Sequence, residues 1–348
     1  MENHRRRIHY TGKYPKYFNE KYKELQPEKY SDTVDKVINK GSTPAGMHIP
    51  IMVREILDFF NIKPGMQGYD ATLGYGGHSL EMLKRLNHFG KLVATDIDSI
   101  ELNKTQARLK ALGFTDSDFS AVLSNFSQID QIAAKFGKFD FVLADLGVSS
   151  MQIDNPERGF SYKNQGLLDL RMDSQNGITA AEFLKETSVY ELQEILIRNS
   201  DEPLAKEIAS AVSGIIRKGK EITYTTDLCK IIDDVLQKKH KNLPQNEYII
   251  LKKKTYSRVF QALRIEINHE YDSLALFLTK LPEVLKQGGK VAVLSFHSGE
   301  DRLVKQAFKE YKAQGIFSEI SENVICPLYD ECNRNRRAHS TKMRWAIK

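Results

Sequence analysis

The 348-residue sequence predicts an α/β fold, a parallel sheet covered by helices and interrupted by a helical insert. Three observations carry this reading. From Pro50 to Leu146, apolar runs of strand length alternate with amphipathic runs of helix length, the rhythm of strands joined by covering helices. After Ser150 helical periodicity replaces that alternation for about a hundred residues. The alternation then resumes toward the C terminus, so the insert interrupts one sheet and does not join two folds.

The elements follow in order. Residues 1–45 are rich in Lys and Tyr, end at Gly41-Ser42-Thr43-Pro44 and read as an arm with one or two short helices. Next come helix Ile51–Phe60, strand Gly68–Leu73, helix Ser79–Leu86, strand Lys91–Asp96, helix Ile100–Leu112, and strands Phe119–Phe126 and Phe139–Leu146. Amphipathic stretches Ala180–Ile197, Leu204–Lys218 and Thr226–Gln237 represent the insert. Helix Leu274–Leu285, the turn Gln287-Gly288-Gly289, strand Lys290–Phe296, helix Glu300–Tyr311 and the short strands Ile316–Ile320 and Lys342–Ile347 complete the chain. The domain organisation expected is a basic extension (1–46), a first α/β part (47–150), the insert (151–262) and a second α/β part (263–348).

The net charge of +6 is unevenly distributed. Residues 1–45 hold ten Lys/Arg against six acids, residues 334–348 hold six Lys/Arg and no acid, and the body between is left at −4. Positive charge on two terminal segments suits a polyanion partner, so nucleic acid is a candidate. Three cysteines, Cys229, Cys326 and Cys332, argue against a disulfide framework and fit a reducing cytoplasm. No apolar run approaches the roughly 18–20 residues of a membrane helix, and the first residues lack the apolar stretch of a signal peptide, so neither membrane insertion nor secretion is expected.

The segment from Asp70 to Ser79 (DATLGYGGHS) follows a strand and opens a helix, with Asp96 closing the next strand 22 residues after Gly74. Glycines let a backbone approach a ligand closely, and an acid at the second strand's end accepts hydrogen bonds from ribose hydroxyls. The D-x-x-x-G-x-G form suits S-adenosylmethionine, which carries no pyrophosphate, better than a dinucleotide. A branched side chain at Gly76 is expected to crowd that ligand. The strand ending Asp145-Leu146-Gly147 places Asp145 at the carboxyl edge where open α/β sheets bind ligands; a loop-capping aspartate is the plainer alternative. Residues 154–162 and 168–173 crowd polar and aromatic side chains at the sheet edge, where a salt-bridged loop is equally compatible. Ser295-Phe296-His297-Ser298 follows a later strand at the same edge, where a lone histidine is more often structural than catalytic. Arg336, Arg337, Lys342 and Arg344 form a basic cluster that strand-like alternation anchors. Cys326 and Cys332 make a weak zinc case, and no metal is expected.

Together these motifs resemble the MraW family, the ribosomal RNA small subunit methyltransferase H enzymes. The resemblance spans about residues 47–348 through seven motifs in order: His48-Ile49-Pro50, Gly76-Gly77-His78-Ser79, Asp145–Ser150, Arg158–Ser161, Asp169–Asp173, Phe260–Ile265 and Ser295–Ser298. It implies a Rossmann-like class I S-adenosylmethionine-dependent methyltransferase with an inserted helical subdomain, methylating N4 of a cytidine in 16S rRNA, free or in the assembling 30S particle. By motif, cofactor contacts are implied at Gly76, Gly77, His78, Asp96, Phe126, Asp145 and Gln152. Asp145 and His297 become the catalytic candidates, and Arg5, Arg6, Arg7, Arg158, Arg336, Arg337 and Lys342 the RNA-binding ones. The chain departs from the family at Tyr75, Leu167, Gly299 and His339, where Arg, Pro, Leu and Arg are usual, and its arm before His48 is longer. Methylation of another RNA or of DNA cytosine, and a non-catalytic RNA-binding assembly factor, are the competing readings; the intact cofactor motifs disfavour the last.

Overall fold

The computed structural model describes residues 50–348. The opening helix α1 (Val53–Phe60) leads into β1 (Gln67–Asp70), α2 (Gly77–Leu86), β2 (Lys91–Asp96), α3 (Ser99–Ala111), β3 (Phe119–Leu123), α4 (Ile129–Phe136) and β4 (Phe139–Asp145). The short α5 (Ser150–Asp154) then opens the insert, built from α6 (Ala180–Glu186), α7 (Val189–Ser200), α8 (Ala205–Ile216), α9 (Thr225–Lys239) and α10 (Gln245–Ile267). Helix α11 (Glu270–Val284) returns the chain to β5 (Leu285–Ser295), followed by α12 (Ser298–Ala313), β6 (Glu319–Ile320), α13 (Tyr329–Arg334) and β7 (Lys342–Ile347).

The seven strands form one sheet in the order β3-β2-β1-β4-β5-β7-β6. Strands β1 to β5 pair in parallel, and β7 runs antiparallel between β5 and β6. Because β1 lies between β2 and β4, the strand order reverses there, and the crevice outside the carboxyl ends of β1 and β4 is where such sheets bind ligands. The central strands are covered on both faces: Phe60, Leu83 and Leu109 pack on one side and Ile129, Phe277 and Phe308 on the other. Burial on both faces explains why β4 reads as nearly continuous apolar sequence.

The insert has a core of its own, in which Leu184, Leu196, Ile208, Ile232 and Phe260 are among the buried residues. Its cluster extends to Leu263, and α10 runs unbroken from residue 245 to 267, so the chain re-enters the sheet layer through a continuous helix.

Several expected spans are redrawn. The predicted helix 180–197 is two helices, because Ser188 caps α7 by accepting from the Glu191 N–H, just as Thr179 caps α6. The third strand stops at Leu123, where Asn125 caps a 3-10 turn, Phe126–Gln128. The turn at 287–289 lies inside β5, with Gly288 at φ +73° and a register shift against β4.

Candidate active site

The turn after β1 is shaped by carboxylates. Asp70 is buried and accepts from the Ser79 hydroxyl at 2.6 Å and the Thr72 N–H at 3.1 Å, and burial pushes its carboxyl above the ordinary value. Asp96 accepts from the N–H groups of Gly74 (2.7 Å) and Asp98 (2.9 Å), while the Thr105 hydroxyl donates to the Gly74 carbonyl. Burial pushes Asp96 up to about 6, against those two backbone donors. Gly74 and Gly76 take φ of +46° and +63°, which glycine adopts without a steric cost. The crowding expected at Gly76 has a different target: an added Cβ would stand 2.7 Å from Thr105 Cγ2 and 3.2 Å from Arg108 Nη2, so it strikes α3.

Gly77 opens α2, and its second residue, His78, is buried with Nε2 3.5 Å from Asp145 Oδ2. Burial lowers the His78 pKa, yet Asp145, Asp70 and Glu331 outweigh it and hold the imidazole above its usual value. The Asp145 backbone N–H donates to Thr72 Oγ1, which fixes the end of β4 to the glycine turn. With His78 against Oδ2, the other carboxylate oxygen, Asp145 Oδ1, is buried without a hydrogen-bond partner among the described residues. Buried polar atoms are usually partnered, so Oδ1, at the switch point, is a candidate contact for a ligand's polar group.

Asp98, two residues past Asp96, is a position beside the site that motif reading misses. Its Oδ1 caps α3 by accepting from Ile100 and Glu101, and its Oδ2 accepts from Gln152 Nε2 at 3.1 Å and Arg158 Nη1 at 2.8 Å. The cap is readable in Asp98-Ser99 before a helix, with Glu101 three residues on, but partners 54 and 60 residues away are not. Gln152 also closes a capping box with Ser149, so both ends of its side chain are engaged in this structure.

Arg158, expected as an RNA contact, has its guanidinium turned inward. Besides Asp98 it holds the carbonyls of Arg171 and Met172 at 3.2 and 2.7 Å. From there Asn268, at the C-terminal end of α10, accepts from Met172 N–H and donates to the carbonyl of Leu170, a buried residue held at φ +63°. The motifs at 158–161 and 169–173 thus form one brace with the end of α10, between the cofactor edge and the insert.

His297 is placed differently from a free catalytic base. It caps α12, its Nδ1 accepting from the Glu300 N–H, with Nε2 3.1 Å from Glu300 Oε1. Burial raises Glu300, but His297 and Arg264 outweigh it and keep the carboxyl below its usual value. Glu270, His297 and Glu300 form a cluster of metal-ligand type, but two guanidinium bonds from Arg264 already engage both oxygens of Glu270. Gly299 is explained here, since a Cβ at that position would lie 1.9 Å from the Tyr271 hydroxyl.

Phe126 stands past the end of β3, edge-on to Phe277 at 5.4 Å. In the C-terminal cluster Arg337 pairs with Asp154 at 3.1 Å, Lys342 lies 3.7 Å from Asp301, and Arg344 is buried against the same Asp301 at 2.6 Å. The side chain of Arg336, like Arg5, Arg6 and Arg7, lies outside the described residues.

The family model of the MraW methylases matches residues 45–348. Ribosomal RNA small subunit methyltransferase H 1 of Lachnoclostridium phytofermentans is 57% identical over 99% of this chain and 93% of its own length. Ribosomal RNA small subunit methyltransferase H 2 of Alkaliphilus metalliredigens is 56% identical across 100% of both chains. Ribosomal RNA small subunit methyltransferase H of Mesomycoplasma hyopneumoniae, 38% identical, is matched over 99% of its length but 87% of this chain, so the chain is longer than that relative. The chain belongs to the MraW methylase family.

Proposed function

We propose that the protein transfers the methyl group of S-adenosylmethionine to N4 of a cytidine in 16S rRNA, in the cytoplasm, on free rRNA or the assembling 30S particle. The observation that carries this reading is the switch point itself, where Asp145 Oδ1 is buried without a hydrogen-bond partner among the described residues, with His78 against Oδ2 and a glycine turn fastened to Asp96 alongside. The near-full-length identity to small-subunit rRNA methyltransferases supports the substrate class.

The residues present fit the cofactor. Each Asp96 oxygen accepts one backbone N–H and keeps a lone pair for a ribose hydroxyl. Gly76, Gly77, His78, Phe126 and Gln152 surround the carboxyl edges of β1 to β4. When bound, S-adenosylmethionine supplies an electrophilic methyl on a sulfonium.

A cytosine amine is a poor nucleophile because its lone pair is conjugated with the ring. In our reading Asp145 Oδ1 accepts a hydrogen bond from that amine, favouring a tetrahedral nitrogen, and would take its proton as the N–C bond forms and the methyl's bond to sulfur breaks, a neutral thioether being the leaving group. His78, beside Oδ2, holds the carboxylate in place and leaves Oδ1 to the substrate. His297 acts by setting the start of α12. The target base leaves its stack to enter the cleft. The α/β parts, 47–150 and 263–348, carry the chemistry, and the insert 151–262 receives the RNA. The extension 1–46, through Arg5, Arg6 and Arg7, adds electrostatic grip, with a smaller part from Arg337 and Lys342, whose charges are partly offset by Asp154 and Asp301.

The test is mass mapping of methylated cytidines in small-subunit rRNA from cells with and without the protein. Loss of one N4-methyl mark in its absence is the expected result, and an unchanged map would overturn the assignment.

A further inference from the structure

The insert carries a charge concentration that the terminal accounting conceals. Residues 237–254, the tip of the α9–α10 hairpin, contain six lysines and one acid, Glu247, inside a body whose overall charge is negative. Two of these lysines are internally committed: Lys239 pairs with Glu207, and Lys252 with Asp233 at 2.7 Å. Lys238, Lys241, Lys253 and Lys254 are exposed and enter no ion pair among the described residues, although Asp234 lies one turn before Lys238. Ile249 and Ile250, 40% and 54% exposed, lie among them.

Four unneutralised cations gathered on a helical hairpin repel one another, and the fold gains no ion pair from them. A polyanion removes the repulsion and releases its own condensed counterions on binding. The position of the tip adds a geometric argument. Helix α10 is 23 residues long, about 34 Å at 1.5 Å per residue, and Lys254 lies 14 residues, about 21 Å, from Asn268. Asn268 holds the 170–172 loop, which Arg158 ties to Asp98 at the cofactor edge. A rigid strut therefore joins the site to the basic tip.

We infer that the tip of the α9–α10 hairpin is a second grip on the substrate, in which Lys238, Lys241, Lys253 and Lys254 hold RNA phosphates roughly 20–35 Å from the site end of α10. This rests on the rRNA methyltransferase reading. It makes substrate choice depend on RNA that extends well beyond the target base, since a short oligonucleotide in the cleft leaves the tip empty.

The experiment compares the wild-type chain with two quadruple variants at positions 238, 241, 253 and 254, one all Ala and one all Arg. Binding to small-subunit rRNA transcript is measured at several salt concentrations, with S-adenosylmethionine affinity and thermal stability as controls. At about 0.7–0.9 per phosphate contact, the Ala variant should lose about 3 units of slope in log affinity against log salt, and at least tenfold in affinity at low salt. The Arg variant should keep the slope, cofactor affinity should be unchanged in both, and neither variant should melt below the wild type. An unchanged slope in the Ala variant, with the wild type still binding and methylating, would overturn the second grip alone. A wild-type protein that neither binds nor methylates the transcript would overturn both readings.

Discussion

Replacing Asp98 by Asn isolates the ion pair on which the brace depends. The side chains of Asp98 and Arg158 are only 3% and 13% exposed, so their 2.8 Å contact is poorly screened by solvent. Asn retains an oxygen to cap α3 but removes the charge, leaving a buried guanidinium unpaired, a change that typically costs about 3–5 kcal/mol. Asp98→Ala also removes the cap and adds about 1 kcal/mol. Arg158→Met should cost less than Asp98→Asn, because Asp98 keeps the Ile100, Glu101 and Gln152 donors. In the double variant neither charge remains, so its cost should fall short of the summed single costs by about 1–3 kcal/mol. Urea unfolding of the four chains, followed by both circular dichroism and fluorescence, measures this cycle. A loss under about 1 kcal/mol in Asp98→Asn, or additivity within about 0.5 kcal/mol, would refute the brace as an energetic unit.

Three further expectations follow from the site. Asp145→Ala should abolish methyl transfer while the protein remains folded, as judged by circular dichroism, because the acceptor for the amine proton is gone; substantial turnover would remove Asp145 from the chemistry. With Asp96 pushed up to about 6, its ionised form accepts the ribose hydroxyls, so S-adenosylmethionine affinity should hold above pH 6 and fall up to about tenfold by pH 5. The same raised pKa acts oppositely on the free protein, whose stability from this group is full below about 3.8 and lost as pH rises through about 6. Calorimetry across pH 5–8 on the wild type and Asp96→Asn checks the binding arm, since the variant should show a flatter profile. Gly299→Leu, which installs the usual family residue, should destabilise by about 1–3 kcal/mol because Tyr271 must move, and Tyr271→Ala should relieve most of that cost in thermal melts.

Elements whose burial is dictated by their own pattern were readable from sequence. Strands Lys91–Asp96 and Lys342–Ile347 are found with the expected bounds. The break between α6 and α7 was also written locally, as Thr179 with Glu182 and Ser188 with Glu191, but the apolar period continues across it and hides the caps. Helix α10 is harder to see because Lys252-Lys253-Lys254 interrupts its apolar face, and its residues find burial against other helices, chiefly α7, with α6, α9 and α11. The start of α11 four residues before its expected position depends on His269 adopting a left-handed conformation, which histidine takes more readily than most residues but still too rarely to mark a helix start by itself.

At the site, the residues that act through backbone geometry were legible, whereas those that act through long-range charge pairing were not. Gly74, Gly76 and Asp96 declare themselves by spacing because the turn between two adjacent parallel strands is local. Arg158 carried the same positive charge in sequence whether it faced RNA or Asp98, and only the fold brings in the partner 60 residues away. His297 differs again, because its own neighbour Glu300 occupies it from the first turn of α12, a contact within one helical turn that a catalytic reading of the histidine passes over. The same limit applies to net charge. A body of −4 gives no sign of the hairpin lysines, because buried pairs such as Asp98 with Arg158 and Glu202 with Arg258 cancel in the sum and unpaired acids elsewhere outweigh the exposed lysines. An incoming phosphate chain meets only the unneutralised surface charge, so the distribution of ion pairs, and not the total, determines where RNA is held.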